Sequence, residues 1–155
     1  DGKEALYYMG CYGIGVSRTL AALYEQCVIK DQKGEPCGFV LPVKIAPYMI
    51  QIIPKMDNPD KVKLAEELYD NLEVQTMGAI IDDRENITIG AKIKDTKILG
   101  TPYMIIIGDK TDKEHIEAEN NETGEKIIGT IDEVTRELMS RKLDSMFGYN
   151  KKEQI

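Results

Sequence analysis

The segment from Ala79 to Ile107 has the sequence AIIDDRENITIGAKIKDTKILGTPYMIII, and its pattern decides the fold. Residues 79–81 are apolar enough for a short buried strand, and Tyr103 to Ile107 predict another strand. Between them, Ile89 to Leu99 predict a short helix. The ends of these elements are marked by Gly90, Gly100, Pro102 and Gly108. Strands and helices therefore alternate, which is typical of an α/β layer.

The residues before this segment continue the alternation. Tyr48 to Ile53 lie between two prolines and predict a short buried strand, because proline is tolerated at strand ends. Asn58 is a suitable N-cap, and Pro59 suits the first position of a helix that we expect to run to about Leu72. The expected apolar face of this helix consists of Val62, Ala65, Leu68, Tyr69 and Leu72.

The residues after the segment predict two more strands and a helix. The strands are expected at 114–119 and 125–129, around a polar turn at 121–124. Thr130 and Glu133 have capping-box spacing and open the last helix. Its inward-facing positions are expected at Val134, Leu138 and Leu143. The predicted fold class is α/β, with a mixed β-sheet flanked by helices.

Composition places the chain among ordinary soluble proteins. It has 155 residues, of which 42% are hydrophobic and 30% charged. The longest apolar runs fall far short of the roughly 18 residues that cross a bilayer, so no membrane association is expected. Three cysteines without a CxxC pair favour a reducing compartment and offer no metal site. The first residue is Asp1 rather than Met, so we expect a piece of a longer protein.

The distribution of charge indicates where an anionic partner could bind. The net charge is -7, and residues 45–81 and 111–155 are the acidic parts of the chain. Residues 82–110 are balanced, with five basic and five acidic side chains. An anion-contacting face is therefore expected within 82–110 or near Arg18.

A glycine-spaced turn lies near the start of the chain. Residues 5–11 predict a strand, and Val16 to Cys27 have the spacing of a helix. Between them, the turn contains Gly10, Gly13 and Gly15. Arg18 then stands where a dinucleotide-binding fingerprint requires a small residue, so that type of site is disfavoured. An arginine after such a turn suits phosphate oxygens, although a packing turn with a surface arginine explains the pattern as well.

A second group of polar residues follows the strand at 79–81. Arg84 comes directly after the carboxyl end of that strand, where α/β sheets collect ligand sites, and Lys92 lies near the start of the next helix. Cations beside flat Tyr or Pro surfaces suit the unstacked bases of single-stranded RNA. The alternative is a local ion-pair cluster of Asp82, Asp83 and Arg84 without a binding role.

These residues carry a resemblance to a known family. Tyr8 to Arg18, with the sequence YMGCYGIGVSR, resembles the third signature motif of class II aminoacyl-tRNA synthetases in the form of bacterial-type prolyl-tRNA synthetases. The rest of the chain is similar to the anticodon-binding domain of that family. The residues that carry this second similarity are Ile45 to Tyr48, Ile53-Pro54, Leu68-Tyr69, Asp82 to Arg84, Gly90 to Lys92 and Leu99 to Tyr103.

The resemblance implies two parts of a larger enzyme. Residues 1–35 would be the end of the catalytic domain, with Gly15 and Arg18 at the ATP phosphates. Residues 36–155 would be the anticodon-binding domain. The parent would ligate proline to its tRNA with ATP and Mg²⁺, as a cytoplasmic homodimer formed through the catalytic domain. The other catalytic motifs are absent from these residues, so we do not expect the chain alone to catalyse aminoacylation or to carry a cofactor or metal.

The resemblance also implies a set of anticodon-contacting residues. They are Asp83, Arg84, Lys92 and Pro102, and the implied partner is the anticodon loop of a proline tRNA.

Three other functions stay open at this point. The chain could be a stand-alone nucleic-acid-binding module derived from such a domain, or part of a threonyl-, glycyl- or histidyl-tRNA synthetase. It could also belong to a nucleotide-dependent α/β enzyme that uses the glycine turn. The apolar strand expected at 5–11 would form an exposed edge in this chain, so we expect it to be covered, paired between copies or frayed.

Overall fold

A computed structural model describes residue 2 and residues 4–148. The described residues form four helices and seven strands. In chain order they are α1 (Val16–Gln26), β1 (Val28–Lys30), β2 (Pro36–Phe39), β3 (Ile50–Pro54), α2 (Pro59–Val74), β4 (Ala79–Ile81), α3 (Ile89–Leu99), β5 (Tyr103–Ile107), β6 (Ile116–Asn120), β7 (Lys126–Gly129) and α4 (Ile131–Phe147).

The main sheet has five strands in the order β4-β3-β5-β6-β7. β3 pairs in parallel with β4 on one side and with β5 on the other. β6 and β7 add antiparallel pairs at the far side. The predicted mixed sheet with flanking helices is therefore confirmed.

The two faces of this sheet are covered by different helices. Ile50 and Ile52 of β3 belong to a core that contains buried residues of α2 and α4. Gln51 and Ile53 alternate with them and therefore point to the opposite face, where α3 contacts β3. Since α3 covers only part of that face, β5, β6 and β7 leave an open surface beside it.

The helices begin and end where the sequence predicts. The Asn58 side chain accepts a hydrogen bond from the Asp60 N–H at the start of α2. Thr130 and Glu133 form the reciprocal capping box of α4. Gly100 ends α3 in the left-handed conformation, with φ of 73°. One expected inward position is wrong, because Leu143 lies in the last turns of α4 and is 45% exposed.

The expectation of a strand at residues 5–11 is wrong. Residues 4–15 have no secondary structure, and Leu6, Tyr7 and Tyr8 are almost fully exposed. A strand needs a neighbouring strand to accept its backbone hydrogen bonds, and none of the described residues provides one. The chain becomes regular only at Val16, where α1 begins.

A short hairpin connects α1 to the main sheet, and the sequence did not predict it. β1 and β2 pair antiparallel around the polar loop at 31–35. The Tyr24 and Phe39 rings pack in a T-shaped arrangement with ring centroids 4.6 Å apart. The division between residues 35 and 36 that the sequence predicts falls at the end of this hairpin loop, and it stays a prediction.

No helix in the described part of the chain has the length and apolar character needed to cross a bilayer.

The junction between the hairpin and α3 depends on Gly100. A Cβ at this residue would lie 2.6 Å from Cδ2 of Phe39, and the positive φ disfavours any side chain. We expect Gly100→Ala to lower the free energy of unfolding by about 1–3 kcal/mol, measured by urea denaturation. Gly90→Ala, in an exposed helical position with open space, is the matched control and should be neutral or stabilising. Equal effects of the two substitutions would contradict this packing.

Candidate nucleic-acid interface

The candidate site begins where β4 ends. The Asp82 N–H donates to the Ile52 carbonyl at 2.9 Å, which continues the parallel ladder by one residue. The chain then turns away from the sheet, and the Asp82 side chain remains only 4% exposed. A buried carboxylate needs cationic or hydrogen-bonding partners, and two nearby side chains supply them.

Arg84 is the first partner. Its Nε and Nη2 donate to the two carboxylate oxygens of Asp82 at 2.8 and 2.6 Å. Nη2 also donates to Asp95 of α3 at 2.7 Å. Among the described residues no side chain accepts from Nη1, and the Arg84 side chain is 45% exposed. The guanidinium is therefore held along one edge and open to solvent along the other.

Lys92 is the second partner, and it does not lie where a base-contacting amine would. It is 1% exposed, and its Nζ donates to the Asp82 backbone carbonyl at 2.7 Å. The same Nζ is 3.6 Å from Oδ1 of Asp82. Arg84 and Lys92 are thus brought together, but through Asp82, and only Arg84 reaches the surface.

The other two predicted anticodon residues differ from each other. Asp83 is exposed beside Arg84. Pro102 is buried before β5, and Tyr103 is 3% exposed, so the expected flat stacking surface at these residues is wrong. The physical reason is that β5 lies in the middle of the sheet, with β3 and β6 on its two sides.

The charges of the site reinforce one another. Hydrogen bonds from the Arg84 side chain are the main reason that the pKa of Asp82 lies below its usual value, and Lys92 acts in the same direction. Hydrogen bonds to Asp82 and Asp95 raise the pKa of Arg84. Asp82 and Arg84 are therefore both charged throughout the physiological range. Asp82, Arg84, Lys92 and Asp95 form an ion-pair cluster, the Asp82 cluster. The alternative that the sequence offered placed Asp83 in such a cluster, but among the described residues Asp83 has no ion-pair partner. The cluster also holds an outward-facing arginine.

Two grooves lie on the surface of the sheet, and one of them adjoins this cluster. One, of about 430 Å³, lies between β4 and α3, and its lining includes Arg84, Ile98 and the buried Gln51. The Gln51 Oε1 has no hydrogen-bond partner among the described residues.

The second groove, of about 530 Å³, lies over β5 and β6, and sequence reasoning missed it. Its polar lining includes Lys110, His115, Glu117 and Glu119. His115 is exposed and lies just before β6. Glu117 and Glu119 are two residues apart on one strand, so they share a face. This spacing was the available signal.

The predicted phosphate-contacting residues lie at the other end of the described chain. Gly15 is the N-cap of α1 with extended backbone, and Arg18 is exposed in the first turn. Their role at ATP stays a prediction. Within the described residues, no three His, Cys, Asp or Glu side chains are grouped to hold a metal ion.

Comparison with known proteins assigns the chain to a family. The family model described as "Anticodon binding domain" matches residues 40–141. This chain belongs to the anticodon-binding domain family. The match covers the main sheet with α2, α3 and most of α4, and therefore the Asp82 cluster and both grooves.

Two curated relatives of this anticodon-binding domain are proline–tRNA ligases. One, from Fusobacterium nucleatum, is 37% identical over 134 residues, which cover 86% of this chain and 22% of that protein. The other, from Aliarcobacter butzleri, is 39% identical over 140 residues, which cover 90% of this chain and 24% of that protein. The chain thus spans about a quarter of the length of these relatives. The resemblance to prolyl-tRNA synthetases is confirmed.

A solved structure agrees with the fold of the anticodon-binding domain. The crystal structure of prolyl-tRNA synthetase from Cryptosporidium parvum, complexed with halofuginone and AMPPNP, matches with a TM-score of 0.60 and 24% identity. The match covers 74% of this chain and 26% of that one.

The Asp82 cluster predicts a defined pH dependence of stability. Because the folded pKa of Asp82 is lowered, its stabilising effect is complete above the unfolded value of about 3.9 and is lost as the pH falls through the folded pKa. We expect Asp82→Asn to lower the free energy of unfolding by about 1.5–3 kcal/mol at pH 7. The difference from the unsubstituted chain should shrink below about pH 4.

The measurement is urea denaturation of both chains across this pH range. Asp83→Asn removes the same charge at the exposed neighbouring position and should stay within about 0.5 kcal/mol of the unsubstituted chain. A difference for Asp82→Asn that stays constant from pH 7 to pH 2 would show that its carboxylate is not stabilised by the cations around it.

Proposed function

We propose that this chain is the anticodon-reading part of a proline–tRNA ligase and that Arg84 contacts the anticodon. The observation that carries the proposal is the similarity to two proline–tRNA ligases over 86% and 90% of the chain. The anticodon-binding domain family defines the kind of partner, which is the anticodon loop of a tRNA. The amino acid and the ligase reaction come from the names of the relatives.

The geometry of Arg84 supports a contact with unpaired bases. Its Nη1 carries two N–H donors toward solvent, and acceptors on base edges, such as guanine O6 and N7, fit this kind of donor. The guanidinium plane also offers a surface for stacking. The exposed Asp83 carboxylate can accept hydrogen bonds from base amino groups such as cytosine N4.

The acidic composition agrees with a site that recognises bases rather than phosphates. The chain has a net charge of -7, which disfavours strong binding through phosphate contacts alone. In RNA and DNA complexes, phosphate contacts position the nucleic acid and base contacts specify it. We therefore assign the base contacts to this domain and most of the affinity to the rest of the parent protein.

The N-terminal residues complete the proposal. Gly15 and Arg18 hold ATP phosphates in the parent enzyme, which uses ATP and Mg²⁺. The parent is a cytoplasmic homodimer that forms its dimer contacts through the catalytic domain. Residues 4–15, which are exposed in this chain, belong to that domain.

The reaction is tested on the complete parent protein by ATP–pyrophosphate exchange. We expect exchange that depends on proline. Exchange that depends on threonine, glycine or histidine would assign the chain to another synthetase. No exchange with any amino acid would favour a stand-alone binding module.

The role of Arg84 is tested by the binding of the chain to a proline anticodon stem-loop. We expect Arg84→Ala to weaken binding by about 1–3 kcal/mol, and to weaken it less for a loop with mismatched anticodon bases. Arg136→Ala removes an exposed arginine of α4, on the opposite side of the sheet, and should have little effect. Equal losses for cognate and mismatched loops would show that Arg84 touches only phosphate.

A further inference from the structure

The buried amine of Lys92 needs a function that packing does not supply. Its side chain is 1% exposed, and taking an ammonium group out of water costs several kcal/mol. Replacing a whole buried ion pair by apolar side chains of similar volume is often neutral for stability, so stability alone does not explain why Lys92 and Asp82 are both charged and buried. The placement of the charge, rather than the volume of the side chain, is therefore the feature to explain.

The polar contacts of the Lys92 amine all go to one residue. Its Nζ donates to the Asp82 carbonyl at 2.7 Å, just where the chain leaves the sheet, and lies 3.6 Å from the Asp82 carboxylate. That carboxylate also accepts the Arg84 backbone N–H at 3.3 Å in addition to the guanidinium. On the buried side Asp82 contacts the Lys92 amine, and on the solvent side its carboxylate accepts hydrogen bonds from Arg84.

The helix that carries Lys92 also provides a second acceptor to the same edge of the guanidinium. Asp95 is three residues after Lys92 in α3, so the two side chains lie on neighbouring parts of one helix face. Asp95 accepts from Nη2 at 2.7 Å. With Nε and Nη2 both committed, the plane of the guanidinium is defined and the Nη1 edge is directed outward.

We propose that Lys92 is a positioning residue that fixes the Arg84 guanidinium through Asp82, and that it acts on anticodon binding without touching RNA. This inference rests on the proposed function of Arg84. Its basis is that a guanidinium already held in one orientation loses less side-chain freedom on binding. Removing the amine lets Asp82 and Arg84 adopt other orientations, and binding then has to restore the one that fits.

The first test is a double-mutant cycle with the 155-residue chain and a proline anticodon stem-loop. We expect Lys92→Met to weaken binding about fivefold to tenfold in the unsubstituted background. The same substitution should have no effect in the Arg84→Ala background. Lys63→Met, an exposed position on α2 across the sheet, is the control for loss of one positive charge and should change binding little.

The salt dependence of binding separates positioning from direct contact. A lysine that contacts phosphate contributes roughly 0.7 to 0.9 to the slope of log K against log salt. We expect Lys92→Met to leave this slope unchanged. A lower slope, or a loss of affinity that persists in the Arg84→Ala background, would overturn the proposal.

A second readout does not involve RNA. The Arg84 Nε–H should exchange slowly with water in the free chain, and Lys92→Met should speed up its exchange, as measured by NMR. Unchanged exchange would overturn the positioning role. If the unsubstituted chain binds no stem-loop, the proposed function fails, and the exchange measurement alone decides the role of Lys92.

Asp95→Asn keeps the inference testable if Lys92→Met does not fold. Asp95 is half-exposed at the rim, so its substitution leaves the buried part of the cluster intact. It should also speed the exchange of the Arg84 Nε–H and should weaken RNA binding only when Arg84 is present. Additive effects of Asp95→Asn and Arg84→Ala on binding would count against the network.

Discussion

The parallel pairing of β3 with β4 and β5 brings the carboxyl ends of three strands to one edge of the sheet. Asp82 leaves β4 there, and at the same edge Lys55, after β3, forms an ion pair with Asp109, after β5, at 2.8 Å. Since β3 is buried along its whole length, the register of its neighbours is fixed by its apolar side chains. The positions of the Asp82 cluster and of the loop after β5 both follow from that register.

The electrostatics of the site are local rather than global. A chain with net charge -7 repels RNA over long distances, but Arg84 sits beside carboxylates that orient it. Those carboxylates reduce the net positive potential at the surface and in exchange give the guanidinium a defined direction. Such an arrangement suits recognition of one base edge better than attraction of a phosphate backbone.

Much of the fold could be predicted because its signals are local. The caps at Asn58 and Thr130 and the left-handed Gly100 each define an element end through chemistry within a few residues. The hairpin of β1 and β2 was missed because strands of three and four residues are too short to show a period. The strand expected at 5–11 was wrong because an apolar run does not form a strand without a partner.

The sequence predicted where the site residues lie in the fold, but it did not predict which of their side chains are exposed to solvent. The sequence indicates that Arg84 and Lys92 lie near each other, but it does not distinguish a surface lysine from one buried under a carboxylate. Burial depends on how α3 packs on β3 and on the strand end at Asp82, which are contacts distant in sequence. The burial of Pro102 was not predictable for the same reason, since it depends on the central place of β5 in the sheet.

The hairpin between α1 and the main sheet has a mechanical consequence. The Val40 N–H donates to the Cys27 carbonyl, the Leu41 N–H donates to the Gly100 carbonyl, and the Tyr24 and Phe39 rings pack in a T-shaped arrangement. Twisting α1 relative to the main sheet would have to break these bonds together. The connection therefore resists rotation of α1 relative to the main sheet. A force applied at α1 is transmitted through these contacts to the end of α3.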